Sequence, residues 1–485
     1  MLIRLAISDL LFKPLLALRS GAFDAIQPRT HRDNAQHHSK PCGALGRRTG
    51  TVRLSTSASW RKNLRGARRQ RVPIRICLLL ALLFSIYSAA RRAVGAWYFR
   101  QGSPNAIAAA IRWDPANPEY YQALGTLEHL YANGGSSNQI IQLYWSATHL
   151  SPHDAQLWAD LAASYDWAGH SDDALEAFQR ARKLSPNSPE VNWRLANFYV
   201  RRGKIPEALA ALRIVLLGDS TAGRKVFRLA TNVTMDRKAI LEMLPPRAPL
   251  FFAYLQFRIE RGDLLAAEEI WARIVQLNLP FDAPAAFPYL DALIQHREVR
   301  KLEETWSVLA ERFRTQIVAP STSLSNLVTN GNFKLNILNG GLDWRVIAVE
   351  GAIVSLDSAK GPDGARALRI EFDGTHNLDY GQVFQYVPVQ PNTRYRFAAH
   401  VRAEGITTDS GPRLQVCDAY KVGNIFLSTR NRVGSSDWFE ERADFTTNAD
   451  TQLLLVGVVR PASNKFDDRI AGTLWIDGVS LHLAN

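Results

Sequence analysis

Four pairs of adjacent acids, Asp172-Asp173, Glu303-Glu304, Glu440-Glu441 and Asp467-Asp468, are the first places to look for catalysis in this chain. Paired carboxylates cleave glycosidic bonds only at a defined separation in space, which chain neighbours do not supply. They read instead as solvated helix faces and turns. His31, His37 and His38 lie close together but lack cysteine or carboxylate support at ligand spacing. No glycine-rich phosphate loop, HExxH helix, paired-cysteine zinc spacing or GxSxG elbow occurs. No catalytic residue is assigned, and the chemistry expected is recognition without bond making.

Charge distribution narrows the partners. The 485 residues are 46% hydrophobic and 21% charged with a net charge of +13, which excludes a wholly disordered chain. Residues 1–75 carry 16 Lys and Arg against Asp9, Asp24 and Asp33, whereas the other 410 residues hold 42 basic and 42 acidic groups. A nucleic-acid-binding domain would carry its basic patch on folded structure, so no nucleic-acid partner is expected. Residues 1–60 show no sustained period, and residues 1–75 are expected to be a basic, mostly disordered tail.

After the tail comes ICLLLALLFSIYSAA, Ile76 to Ala90, fifteen residues without a charge. As a helix it reaches about 22 Å, short of a hydrocarbon core of about 30 Å. Arg75 and Arg91-Arg92 can snorkel outward, and Trp97, Tyr98 and Phe99 suggest an interfacial aromatic cluster. The preferred reading is a single membrane anchor over 76–99. The crowd of Arg and Lys before it sets the N-terminus inside the cytoplasm and the bulk of the chain outside the inner membrane. A cleaved signal peptide ending at Ser88-Ala89-Ala90 and a buried core helix are the rivals. Cys42 and Cys77 precede the exported part, which keeps only Cys417 and can form no internal disulfide.

The strongest regularity follows, at a period of 34. Trp158, Leu161, Ala162, Tyr165, Gly169, Ala174, Phe178, Ala181 and Pro186 recur one period earlier as Leu124, Leu127, Tyr131, Tyr144, Ala147 and Pro152. One period later they recur as Leu195, Ala196, Tyr199, Gly203, Ala208 and Leu212. Small residues let two helices approach closely, aromatics fill the groove beside them, and the prolines stop each second helix. These positions resemble the tetratricopeptide repeat, which implies an all-α solenoid over 102–316 that docks protein partners in its groove. A leading helix is expected at 105–115, a weaker stretch at 223–247, and two looser helix pairs after it. Asn197, Arg201 and Arg202 are candidate groove contacts.

At Pro320-Ser321-Thr322-Ser323 the composition turns to short alternating strands. ALRIEF, GQVFQYVPV, RYRFAAHVRA, RLQVCDAY, DWFEERADFT, TQLLLVGVV and TLWIDGVSLHL, with one or two strands near 343–355, predict an eight- or nine-stranded jelly-roll sandwich over 325–485. NLVTNGNF, GLDW, PNTRYRF, Ser436-Asp437-Trp438 with Phe445-Thr446, and LWIDGVSL resemble carbohydrate-binding modules of the galactose-binding-like type.

That resemblance implies saccharide binding, which needs aromatic faces for C–H surfaces and amides, carboxylates or guanidinium groups for hydroxyls. The candidate carbohydrate-binding residues are Tyr380, Gln382, Gln385, Arg413, Asp418, Tyr420 and Arg430, with Trp344, Trp438 and Trp475 assigned to the core. The family also implies a structural Ca²⁺ held by a carboxylate after N-G-x-F and another in the closing strand. Asp477 fits the second position, but Lys334 stands at the first, and an ammonium cannot replace an oxygen ligand. No other cofactor is expected.

The reading is a membrane-anchored, non-enzymatic scaffold, accessory to bacterial exopolysaccharide or cell-surface polysaccharide assembly. One alternative is a glycoside-active enzyme with an appended binding module. Another is a pure protein-interaction module whose β domain caps the solenoid and binds no sugar.

Overall fold

The computed structural model describes residues 60–131, 137–317, 326–358, 361–362 and 366–484, with side chains of the first helix from Ile76 onward. Of the tail expected over 1–75, residues 1–59 with their histidines lie outside the described residues, as does the boundary expected at 320–323, whereas residues 60–75 are helical and not disordered. The chain divides into two units after Leu83.

Helix α1 (Trp60–Phe99) carries the apolar segment. Its window Ile76–Phe99 is long and apolar enough to cross a membrane. Within it Leu78 is 65% and Phe84 71% exposed. The last turns behave differently from the expected aromatic girdle. Gly95 is buried, and Tyr98 and Phe99 pack with Ile107, Ala110, Tyr120 and Leu124, leaving only Trp97 of the three well exposed. Two aromatics assigned to an interface therefore belong to the start of the solenoid.

From there helices run in antiparallel succession: α2 (Pro104–Trp113), α3 (Pro118–Tyr131), α4 (Ser137–Leu150), α5 (Ala155–Trp167), α6 (Ser171–Leu184), α7 (Pro189–Arg201) and α8 (Ile205–Gly218). They continue as α9 (Gly223–Val233), α10 (Arg237–Met243), α11 (Ala248–Ile259), α12 (Leu264–Gln276), α13 (Phe287–Gln295) and α14 (Val299–Arg312). Local chemistry sets their ends. Ser103, Asp154 and Ser188 accept from the first free backbone N–H groups of α2, α5 and α7. Gly169 and Gly203 take φ of +87° and +68° in the turns that reverse the chain within a pair.

A second device recurs with the repeat. Tyr121 Oη, Trp158 Nε1 and Asn192 Nδ2 donate to the carbonyls of Pro115, Pro152 and Pro186, each six residues upstream, at 3.2, 3.0 and 2.9 Å. Each bond fixes the entry turn of its helix. Ala162, Ala174 and Ala181 are fully buried where helices meet, as their size requires. The weak stretch at 223–247 is itself a short pair, α9 and α10, whose Phe227, Ile240 and Met243 lie in the same core as its neighbours.

The C-terminal region is a sandwich of two antiparallel sheets. Its strands are β1 (Arg345–Val346), β2 (Ala352–Asp357), β3 (Ala367–Asp373), β4 (Tyr380–Pro388), β5 (Arg394–Ile406), β6 (Arg413–Asp418), β7 (Ile425–Ser428), β8 (Gly434–Thr446), β9 (Leu453–Arg460) and β10 (Ala471–Leu483). One sheet has the order β1-β4-β9-β6-β7 and the other β2-β3-β10-β5-β8. All seven strands named from sequence form. The strand without a forecast is β7, too short to show a period. Inner-face residues such as Val383, Phe397, Val416, Val456 and Ile476 meet in the core with Phe333 and Trp344. The opening NLVTNGNF runs beside the closing LWIDGVSL: Leu327 N donates to Leu481 O, and Val479 N to Gly331 O, both at 2.9 Å. A Cβ at Gly331 would collide with Val479 O, so the glycine allows this close approach.

Trp475 is buried, but not in the core. Its neighbours Leu474 and Ile476 point inward, so the indole covers the outer face of the second sheet. There the Arg402 guanidinium lies 5.0 Å from its ring and Nε1 donates to Asp357 at 3.0 Å.

Solenoid and sandwich share one core. Leu342 and Leu453 are buried with Leu290, Trp306 and the rest of the last helix pairs. A Cβ at Gly340 would strike the Phe287 ring, and one at Gly341, where φ is +59°, would strike Trp306. Arg345 on β1 donates to Asp291 on α13.

Candidate ligand surfaces

On the first sheet, alternation decides what faces out. Val383 and Val387 of β4, Leu414 and Val416 of β6, and Leu454, Val456 and Val458 of β9 fill the core. Phe384 and Tyr386, Arg413, Gln415 and Cys417, and Leu453, Leu455, Gly457 and Val459 therefore line the outer face. Register places Tyr386, Leu455 and Cys417 side by side, and Phe384, Gly457 and Gln415 side by side in the next such row, with Arg345 beyond Phe384.

This face is half covered. Leu453 is fully buried and part of the solenoid core, against which Tyr386, Ala419 and Tyr420 also pack. The Arg345 guanidinium lies 5.3 Å from the Tyr386 ring, and that of Arg297 from the solenoid lies 4.9 Å from the Tyr420 ring. Cys417 is buried, and desolvation followed by the nearby Asp418 raises its thiol pKa above the usual value. Burial pushes the Tyr420 hydroxyl up to about 12.

The half running toward Val459 is open. Half-buried Phe384 belongs to neither core cluster and meets Tyr386 edge-on at 5.6 Å. Next to it Gly457 is buried and leaves no room for a side chain, since a Cβ there would lie 2.7 Å from Val383 O and 3.0 Å from Phe384 Cβ. Gln415 stands on the far side, and Gln382 and Arg413 belong to the following row, flanking Val459. An aromatic ring with amide and guanidinium donors on the same face can stack on C–H surfaces and bond hydroxyls.

The seven sequence candidates scatter. Gln382 and Arg413 share the open face, with exposed Arg430 in the loop after β7. Tyr380 and Gln385 point inward. Tyr380 is 2% exposed, and Gln385 bonds Thr329 N and O at 2.9 and 2.7 Å, pinning the opening segment. Asp418 accepts from the Thr451 hydroxyl at 2.6 Å and from Tyr420 N at 2.8 Å, which shapes the β6–β7 turn. Tyr420 is occupied by the solenoid. These four are structural in position, and the sequence reading omitted Phe384, Gln415, Gly457 and Arg345.

Nor do the residues near Lys334 fit a hard cation. Lys334 is exposed, and its carbonyl and Asn336 Oδ1 accept from the Arg366 guanidinium at 3.2 and 3.0 Å. Asp477 Oδ1 accepts from Gly478 N at 2.7 Å. The described residues contain no group of three acidic, His or Cys side chains that could hold a metal. These loop oxygens already answer to a guanidinium.

In the solenoid, ion pairs tie each repeat to the next. Asp160 accepts from Gln122 at 2.6 Å and from Arg194. Arg224 meets Glu260, Arg237 meets Glu269, and Lys301 meets Glu268 at 3.1, 3.0 and 2.7 Å. Arg201 and Arg202, expected at a partner, both bond Asp166, while Asn197 donates to Trp193 O at 2.8 Å. A recess of about 520 Å³ opens between Trp145, Trp158, Tyr165 and the α6 residues Glu176, Arg180 and Lys183.

A family model for the tetratricopeptide repeat matches residues 168–222. The peroxisomal targeting signal receptor of Kluyveromyces lactis is 27% identical over 156 residues, 30% of this chain and 26% of the receptor. The chain thus spans well under a third of the length of the curated relatives it matches. Among solved structures, MamA covers 40% of this chain and 98% of its own at 16% identity and a TM-score of 0.28. A CBM4 structure covers 32% and 99% at 14% identity and a TM-score of 0.26. The repeat model thus matches part of a helical solenoid, which is joined to a β-sandwich of two five-stranded antiparallel sheets.

Proposed function

We propose that this protein is a membrane-anchored, non-enzymatic scaffold that brings a protein partner and a saccharide together outside the cytoplasmic membrane, in the service of bacterial cell-surface polysaccharide assembly. The observation that carries the saccharide half is the outer strip of the first sheet, where half-buried Phe384, Gln382, Gln415 and Arg413 lie on one face. Adjacent strands lie about 4.8 Å apart, so Arg345 to Gln415 spans about 14 Å across four strands, room for an extended oligosaccharide. Exposed Leu78, Leu80 and Phe84 support the anchor, and the basic crowd before it supports an N-terminus kept inside.

The test is titration of the detergent-solubilised chain with a panel of oligosaccharides, beside the Phe384→Ala variant. Binding that drops at least tenfold in the variant at unchanged unfolding temperature supports the reading, and a panel with no binder refutes it. Protease added to intact spheroplasts should digest residues after about 100, and protection of that region would reverse the topology.

The sandwich as a solenoid cap is the second reading. Leu342, Leu453, Tyr386 and Tyr420 cover the last helix pairs, and terminal repeats need such a cover. The two roles use different halves of the same sheet.

A further inference from the structure

We infer that the saccharide held by the open half of the first sheet is anionic, carrying carboxylate or sulfate groups that pair with Arg413 and Arg430. This rests on the reading of that strip as the saccharide site. The two outer faces of the sandwich treat charge in opposite ways. On the second sheet each arginine has a carboxylate: Arg369 with Glu371, Arg402 with Glu404, Arg396 with Asp444 and Arg442 with Glu440, at 2.8, 3.3, 2.8 and 2.7 Å. On the first sheet no strand presents an outward Asp or Glu, since Asp418 points inward and is buried.

Arg413 is half buried there, pairs with no carboxylate among the described residues, and has a buried Nε with no hydrogen-bond partner. Removing a guanidinium from water without a counter-ion is costly, and a ligand carboxylate or sulfate supplies a bidentate one. A second guanidinium arrives beside it. Ser428 is paired with Gln415 and Thr429 N donates to Leu414 O at 2.9 Å, which brings exposed Arg430 abreast of Arg413. The acids at the end of this sheet do not neutralise the pair. Asp409 accepts from Ser463 and Lys465, Asp468 accepts from Asn377, and exposed Asp379 precedes β4. Arg345, at the other side of the strip, already has Asp291 and is not part of the proposal.

The experiment uses the full chain in detergent micelles with polygalacturonate, dextran sulfate and neutral dextran of matched length, at low and high salt. The expected result is at least about tenfold tighter binding of one acidic polymer than of dextran, weakened by salt. Arg413→Gln should remove about tenfold of it, with Arg413→Lys restoring only part and the unfolding midpoint unchanged. Uronate and sulfate arms identify which group is read. The basic tail of residues 1–75 can also hold polyanions, so acidic binding that survives both Arg413→Gln and Phe384→Ala overturns the proposal. Equal binding of dextran, insensitive to Arg413, also overturns it while leaving the saccharide reading standing. Absence of binding to any polymer overturns both.

Discussion

Arg345 Nη2 donates to Asp291 Oδ1 at 2.5 Å, joining the first strand of the sandwich to helix α13 of the solenoid. The same nitrogen reaches Gly341 O at 3.2 Å, and the guanidinium lies beside Tyr386, so one side chain anchors the joint in three directions. The Arg345 side chain is 16% and that of Asp291 41% exposed, which leaves the carboxylate screened by water. Replacing each by Ala, singly and together, should give a coupling energy of about 1 kcal/mol in urea unfolding. A coupling indistinguishable from zero would make the pair an ornament of a joint held by Leu342 and Leu453 alone.

Gly341 is the tighter constraint. Its φ of +59° and the Trp306 ring against it rule out a side chain on two grounds. Gly341→Ala should cost about 3 kcal/mol, read as a drop in calorimetric unfolding temperature. Gly423→Ala, where a Cβ meets nothing within 4 Å, should leave that temperature almost unchanged. Equal effects would mean the joint yields more readily than close packing allows.

Asp343 links stability to pH through the same loop. Its carboxyl is 2% exposed, accepts from Leu338 N at 2.7 Å through one oxygen, and leaves the other without a partner. Burial raises its pKa to about 6, against the lowering effect of its hydrogen bonds. The folded state therefore holds the proton that the unfolded state releases from about pH 4, and this group's contribution falls as pH rises toward 6. Asp343→Asn should be more stable than the parent above pH 6, by about 2 to 3 kcal/mol, with the gap closing by pH 4. Melting curves across that range check the sign, and a variant less stable at pH 7.5 would refute it.

Asp160 is the central rung of the solenoid ladder. It is 8% exposed and receives Gln122 from α3 and Arg194 from α7. Asp160→Ala leaves Arg194 without that partner in a desolvated position and should cost about 3 kcal/mol. Adding Arg194→Met should recover part of the loss, because the stranded charge goes with it. Urea midpoints of the three variants measure this, and a double variant no better than the single one would show that Arg194 finds another partner.

Sequence alone determined the order of parts. A run of uncharged residues at Ile76 to Ala90, a 34-residue repeat of alanines and aromatics, and strands of period two each follow from local rules that survive without tertiary context. Strand β7 escaped because its four residues cannot display a period, and the pair α9–α10, of 11 and 7 residues, is too short to carry the 34-residue repeat. The site was legible only in chemistry, not in place. Gln382 and Gln385 both looked suitable, yet they are three residues apart on one strand, and odd spacing sends one of them into the core.

The tertiary structure decided which half of a face remains free. Nothing local marks Tyr386 and Tyr420 as solenoid contacts, or Phe384 as a ring left outside both cores. Those roles arise from packing α13 and α14 against β4 and β9, elements far apart in the chain. Charge pairing was settled at the same level: the sequence shows 42 acids and 42 bases after the tail. Only the fold shows one outer face with its arginines neutralised and the other with Arg413 in no carboxylate pair among the described residues.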